Sequence, residues 1–370
     1  MKGTNQPDKR FLTVDGSILE GGGSILRLSS AFSVITGKPV EIRNIRKGRR
    51  KPGLAAQHLT GLKVMATLFG LELEGAYLGS GTVRINHGNV PETRYDAVIK
   101  TAGSISLAFQ PALIAAMTNK RKLEIQVNGG GTYGMAAPPV DYLERVYCST
   151  MNQQGIRTAI EVFKQGFFPR GGAKAMLTIF PLTDPGELKA LELVDFPRPI
   201  LIKGISVASD ALTRASVADR QARAATFYFE KHLPEQVEID IRVNYTKTDC
   251  PGSGITLWVE NEKKGFSSFG AADFGARGKS SEIVGKNAAR QLVKEFITGA
   301  AVDSHLADQL IPYMAHVAVK SNHKSQITVP EMTLHVKTNI AISKLFFPGL
   351  HVESRKVGKK YLITTRARQH

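Results

Sequence analysis

Read as an alternation of apolar and polar positions, the chain repeats one theme. An apolar run of helical spacing leads into a short turn marked by lysine, and the turn leads into a strand of period two. The theme occurs as ILRLSSAFSVITGKPVEIRNI, as ISLAFQPALIAAMTNKRKLEIQV and as LADQLIPYMAHVAVKSNHKSQITV. Each copy has a companion segment of amphipathic helical period: GLAAQHLTGLKVMATLFG after the first, VDYLERVYCSTMNQQG after the second and SEIVGKNAARQLVKEFITG before the third. Three divergent α/β copies packed around one axis account for the recurrence. Residues 184–279 break it. They open with TDPGELKALELVDFPRP and continue as a strand (ILIKGISVAS), a helix (ASVADRQARAATFYFEKHL) and two strands (EQVEIDIRVNY, GITLWVEN). Pro and Gly mark both ends, as TDPG and FGARGK. The expected organisation is an α/β core of two copies over 1–183, an inserted small α/β domain over 184–279, and a third copy with a basic tail over 280–370.

Composition narrows the class. With 370 residues, 42% hydrophobic and 22% charged, the chain is of ordinary globular make-up, which excludes disorder, collagen and a disulfide scaffold. No window approaches the roughly 18 uninterrupted apolar residues of a membrane span, and MKGTNQPDKR lacks the apolar core of a signal peptide. Two cysteines, Cys148 and Cys250, are too few for a structural zinc site and suit a reducing compartment. A cytoplasmic protein without a membrane partner is expected. Forty-nine Lys and Arg against 32 Asp and Glu leave a formal charge of +17, which favours a polyanionic partner. Six cations crowd into Arg43–Lys51 with few aromatics among them, so phosphate contact is favoured over base stacking. A solvated basic loop is the competing reading.

Three glycine-rich segments carry candidate chemistry. Gly129, Gly131 and Gly134 spell G-x-G-x-x-G after a strand, but Pro138 and Pro139 delay the helix that a dinucleotide fold needs at that point. Gly275–Ser280 is two residues short of a P-loop. The run Glu20-Gly21-Gly22-Gly23-Ser24-Ile25-Leu26-Arg27 is different. Backbone N–H groups at a helix start favour phosphate, and Arg27 adds a fork of donors. A carboxylate aimed into such a site makes sense if a divalent cation, commonly magnesium, sits between. A plain strand-to-helix turn is the alternative. The nine histidines contain no metal spacing, and no G-x-S-x-G nucleophile is present. His335 falls in a strand-like stretch, MTLHVKTNIAI, while His305, Asp308 and Gln309 share one helix face.

Together the motifs resemble the RNA 3′-terminal phosphate cyclases. They are DG-x-x-x-EGGGxILR, IRxGRxKPGLxxQH, AGSxSLxxQ, GGT-x-x-x-x-APPxDY, GFxPxGG and the closing LADQL … HxxTNIAI, running from about Leu12 to Phe347. The resemblance implies three β-α-β-α-β-β repeats, similar to the C-terminal domain of translation initiation factor three, plus one inserted smaller α/β domain. It implies ATP-dependent conversion of an RNA 3′-phosphate to a 2′,3′-cyclic phosphate, with AMP carried on a histidine, then on the RNA phosphate, and released by the 2′-hydroxyl. ATP, Mg²⁺ or Mn²⁺, and an RNA with a 3′-phosphate are the implied cofactors and partner.

Carried over residue by residue, the resemblance makes His335 the nucleophile, Glu20 the metal-linked carboxylate and Arg27 a phosphate contact. Arg46, Arg49, Lys51, Gln57 and His58 fall in the basic motif expected near the triphosphate or the RNA end. Gln110, Pro138, Pro139, His305, Asp308 and Gln309 match positions around the nucleotide. His305 stands where some relatives carry a tyrosine against adenine, and Ser24 where a glutamine is common. The resemblance leaves two rival readings: a catalytically silent cyclase-like protein that binds pre-ribosomal RNA, which would lack His335, and an enolpyruvyl transferase of similar repeats.

Overall fold

The computed structural model describes residues 10–134, 137–183, 188–195, 201–234, 237–260 and 267–368. Its first unit runs β1 (Leu12–Asp15), α1 (Gly23–Thr36), β2 (Val40–Arg43), α2 (Ala56–Phe69), β3 (Leu71–Glu74) and β4 (Val83–His87). The sheet order is β1-β2-β4-β3, with β1 and β2 parallel. Parallel neighbours need a crossover, which α1 supplies, while β3 and β4 pair antiparallel.

The second unit repeats this plan. It comprises β5 (Arg94–Ser104), α3 (Ile105–Ala115), β6 (Leu123–Gly131), a helical stretch made of α4 (Val140–Tyr142), a π-helical turn (Leu143–Cys148) and α5 (Ser149–Gln153), then β7 (Thr158–Lys164) and β8 (Lys174–Ile179). Its order, β5-β6-β8-β7, is that of the first sheet.

The third unit keeps the same order but is split. Its first strand, β9 (Glu192–Leu193), lies parallel to β14 (Ser325–Val329). Between them the chain makes β10 (Leu201–Ser209), α6 (Val217–His232), β11 (Glu238–Thr246), β12 (Ser253–Glu260), β13 (Gly270–Phe274) and α7 (Ser281–Phe296) before returning as α8 (Ser304–Lys320). After β14 come α9 (Leu334–Phe346), β15 (Leu350–Val357) and β16 (Lys360–Ala367), and the sheet reads β9-β14-β16-β15.

Two expectations from the sequence change here. Helix α7, read as the companion of the third copy, instead buries Val284, Ala288, Ala289 and Leu292 with Phe229 of α6 and Ile255 and Leu257 of β12. The third copy's companion helix is α9. Its MTLHVKTNIAI segment alternates well enough to read as a strand. Burial nevertheless falls at Val336, Asn339, Ile342, Ser343 and Phe346, the spacing of one helix face, and the Thr333 side chain caps the start by accepting from Val336 N–H. The expected boundary at 184 lies outside the described residues.

The three similar units share one large core, distinct from that of the β10–β13 unit. Their helices face one another: α1 packs on α3 and on α9, and α8 on α9. Phe32 of α1 stacks obliquely on Phe346 (5.3 Å) and edge-on to Phe347 (5.2 Å), contacts worth about 0.5–1.5 kcal/mol each beyond their buried area. That packing brings helix N-termini from different units to one place.

Candidate active site

The Glu20 turn enters α1 at Gly22, which holds the cap position without a side chain to cap. Glu20 fills the gap by folding back. Its Oε2 accepts from Gly22 N–H (2.8 Å) and from Ser24 Oγ (3.0 Å), while its Oε1 meets the Arg49 guanidinium. A Cβ at Gly22 would collide with the Glu20 carboxylate, and one at Gly23 with the His58 ring. The glycines are therefore required by close approach of two side chains, a stronger reason than flexibility.

Thr338, in the second turn of α9, accepts from Glu20 N–H (3.1 Å), tying the first unit to the third. One turn earlier on the same helix stands His335. The half-exposed imidazole places Nε2 3.9 Å from Glu20 Oε1 and Nδ1 3.9 Å from Asp308 Oδ2. Its pKa lies below the ordinary imidazole value, first because of burial and then because of the charges of Arg27, Arg49 and His305. A seat in the first turn of a helix acts in the same direction.

Asp308 belongs to α8, whose N-terminus is anchored by Asp303. The buried Asp303 carboxylate accepts from His305 N–H (2.8 Å), Leu306 N–H (2.9 Å), Tyr142 Oη (2.7 Å) and Gly270 N–H (2.9 Å). One residue thus joins α8, α4 and β13. Burial pushes the Asp308 carboxyl up to about 7, against the opposing charges of His305 and Arg27. His305 lies edge-on to Tyr142 at 6.2 Å, and Gln309 Nε2 donates to His305 O (2.9 Å).

Arg27, buried one helical turn inside α1, donates to Gln110 Oε1 of α3 at 2.5 Å. Burial lowers its pKa to about 10, which still leaves it charged at neutral pH. His58, in the first turn of α2, is driven down to about 3 by burial and by Arg27 and Arg46, so it is neutral. Gln57 beside it accepts from Ser104 N–H at the start of α3 (3.2 Å).

The basic run divides. Arg43 pairs with Glu41 (2.6 Å), Arg46 donates to Gly53 O (2.8 Å) and Arg49 turns to Glu20, whereas Lys47, Arg50 and Lys51 are exposed. Glu20, Arg27, Arg49, His58, Gln110, His305, Asp308, Gln309 and His335 are thus brought together through contacts or shared charge. Pro138 and Pro139 lead into the helix bearing Tyr142, and Lys51 has no hydrogen bond or ion pair with these groups among the described residues.

The family model for RNA 3′-terminal phosphate cyclase matches residues 18–350, a span holding every one of these side chains. The chain belongs to the RNA 3′-terminal phosphate cyclase family. It is similar to the RNA 3′-terminal phosphate cyclase of Caldivirga maquilingensis, 38% identical over 359 residues, or 96% of this chain and 97% of the relative. It is 39% identical to that of Pyrobaculum neutrophilum over 95% of this chain and 96% of the relative, and 38% identical to that of Thermococcus kodakarensis over 94% and 96%.

For a member of the cyclase family, the donor set speaks to what it holds. Gln309 Oε1, Asn339 Oδ1 and His58 Nδ1 are buried acceptors or ring nitrogens without a partner among the described residues. Such atoms are costly unless something polar meets them, and a nucleotide has amine and hydroxyl donors to offer. No group of three His, Cys, Asp or Glu side chains among the described residues is arranged around a metal. Mg²⁺ takes most of its oxygens from phosphate and water and needs few from protein, and Glu20 is the carboxylate at the start of α1. Among the described residues no helix is long and apolar enough to cross a membrane.

Sequence reasoning passed over Thr338, Asn339, Tyr142 and Asp303. Thr338 and Asn339 stand three and four residues after His335, and Asn339 Nδ2 donates to Asp308 O (2.6 Å). The signal was present, but only a helical reading of that segment reveals it.

Proposed function

We propose that this chain uses ATP to convert an RNA 3′-terminal phosphate into a 2′,3′-cyclic phosphodiester, through an adenylate on His335. The observation that carries the reading is the seat of that imidazole, between Glu20 of the first unit and Asp308 of the third. Its lowered pKa keeps the free base, the nucleophilic form, dominant at neutral pH. With Asp308 closing on Nδ1–H, Nε2 carries the lone pair on the Glu20 side; such contacts commonly tighten when substrate binds.

Nε2 attacks the α-phosphorus of ATP, an N–P bond forms and pyrophosphate leaves. An oxygen of the RNA 3′-phosphate then attacks the same phosphorus, the N–P bond breaks and His335 is regenerated. Finally the vicinal 2′-hydroxyl attacks the RNA phosphorus, losing its proton as AMP departs and the ring closes. Arg27 and Arg49 are cations fixed beside the reacting histidine, suited to equatorial phosphate oxygens. Mg²⁺ or Mn²⁺ at Glu20 would neutralise charge on the triphosphate. His305, Gln309, Pro138, Pro139 and Gln110 are assigned to the nucleotide, and Arg46, Lys51, Gln57 and His58 to the triphosphate or RNA end. We place the reaction in the cytoplasm, where the buried thiols Cys148 and Cys250 stay reduced.

Incubation with magnesium and α-labelled ATP is expected to leave an acid-labile, alkali-stable label on the protein. His335→Ala should remove it, and an RNA 3′-phosphate should discharge it as a cyclic end is formed. Label persisting in His335→Ala would move the nucleophile elsewhere.

A further inference from the structure

Helices α6 and α7 pack side by side, and their outer surfaces bound a groove of about 800 Å³ that the chemistry above does not use. Arg223, Lys231, Lys286 and Arg290 line it as exposed cations, and Phe227 presents a ring that is 58% exposed. The groove's one lining carboxylate, Glu282, is engaged by Arg220 at 2.6 Å. Among the described residues no carboxylate pairs with the other four cations.

The spacing is regular. Arg223, Phe227 and Lys231 recur every fourth residue on α6, as Lys286 and Arg290 do on α7, so each stripe advances about 6 Å per step. On α7, Lys286 and Arg290 stand one turn apart, and like charges so placed weaken a helix. Lys231 Nζ lies 4.2 Å from the Phe227 ring centre, a cation set beside an accessible aromatic face.

The groove also leads somewhere. Tyr228, His232 and Arg290 border a second depression that extends to Gln291, and Gln291 Nε2 meets His305 Nε2 at 3.2 Å. This depression also carries Asp273, paired with Lys279, and Glu295, which accepts from Ser304 N–H, and it joins the groove to the edge of the candidate active site.

We propose that this groove holds the single-stranded RNA chain upstream of its 3′-phosphate, with phosphates on the cation stripes and a base on Phe227. The inference rests on the RNA-end reading above and gives the inserted unit the role of a strand-binding platform. An acidic polypeptide would satisfy the cations but has no use for an exposed ring set among them.

Full-length protein would be titrated with a 3′-phosphorylated RNA of about 20 nucleotides, longer than the ~4–16 nucleotides that single-strand platforms cover, and turned over on a 3′-phosphorylated dinucleotide. Lys286→Ala with Arg290→Ala should weaken the long RNA on the order of tenfold and make the log–log salt dependence shallower by about 1.4, at ~0.7 per phosphate contact. Phe227→Ala should weaken it several-fold with the salt dependence unchanged. The dinucleotide KM should stay constant in both. Long-RNA affinity indifferent to these changes would overturn the proposal, as would polyglutamate displacing the RNA with Phe227→Ala having no effect. Self-labelling by ATP, which needs no RNA, separates the two readings. Labelling retained while RNA ignores the groove sinks the platform alone; absent labelling with groove-dependent RNA binding sinks the cyclase reading and leaves the platform standing.

Discussion

Replacing Asp303 is expected to loosen the junction of three structural units at once. Asp303→Ala removes the cap of α8, worth about 1 kcal/mol. It also leaves two buried donors, Tyr142 Oη and Gly270 N–H, without their acceptor; each orphaned donor costs roughly 1–3 kcal/mol. Burial and the charge of Glu295 already raise the Asp303 pKa, so part of the loss is returned when an unfavourably desolvated carboxylate is taken away. A net destabilisation of about 2–5 kcal/mol follows. Asp303→Asn keeps an acceptor and should cost about half as much, provided the amide oxygen takes the backbone donors. The lone tryptophan of the chain is a convenient reporter, because Trp258 pairs directly with Gly270 in the β12–β13 ladder. Urea unfolding followed by its fluorescence and by circular dichroism should show the tryptophan signal lost earlier than in the unmodified protein. A shift under about 1 kcal/mol for Asp303→Ala, or an asparagine variant weaker than the alanine one, would refute the reasoning.

Other outcomes follow from the same geometry. Asp308 titrates near 7 when folded against 3.8 as a free side chain, so the folded state binds the extra proton between those values and stability should fall as pH rises from about 4 to about 7; Asp308→Asn should flatten that slope in denaturation midpoints measured across pH. The acid limb of self-adenylylation should lie below the ordinary imidazole value of 6.5. Arg49→Ala removes a cation that opposes protonation of His335, so the limb should move to higher pH; an unmoved limb would discard that electrostatic role. Glu20→Gln keeps an acceptor for Gly22 and Ser24 but loses the charge, and should raise the magnesium concentration needed for labelling without changing its alkali stability. Identical metal dependence would separate Glu20 from the ion.

Much of the fold was legible because α1, α3 and α8 are buried on most sides, between sheet and neighbouring helices, and so stand out as apolar runs of helical length. Helix α9 was not. Its first turns hold β-branched and polar residues, and Thr338 and Asn339 are buried for their hydrogen bonds rather than their apolar surface, so a hydrophobicity pattern reads them wrongly. The placement of α7 was hidden for a different reason: an amphipathic stripe declares that it needs a partner, not which one. Glu20, Gln57 and His58 stand at the starts of α1 and α2, which the glycine turn and the apolar period after it announce, whereas the helical seat of His335 is seen only in the structure. Asp303 escaped notice because a capping aspartate looks ordinary in sequence, and its ties to Tyr142 and Gly270 exist only in three dimensions.

The bond from Glu20 to Thr338 spans 318 positions, and β9 waits for β14 across the whole inserted unit. During synthesis the ribosome must therefore release almost the entire polypeptide before acid and imidazole can meet. A nascent chain that stops short of Thr338 carries most of the framework but lacks the tie that joins the first unit to the third.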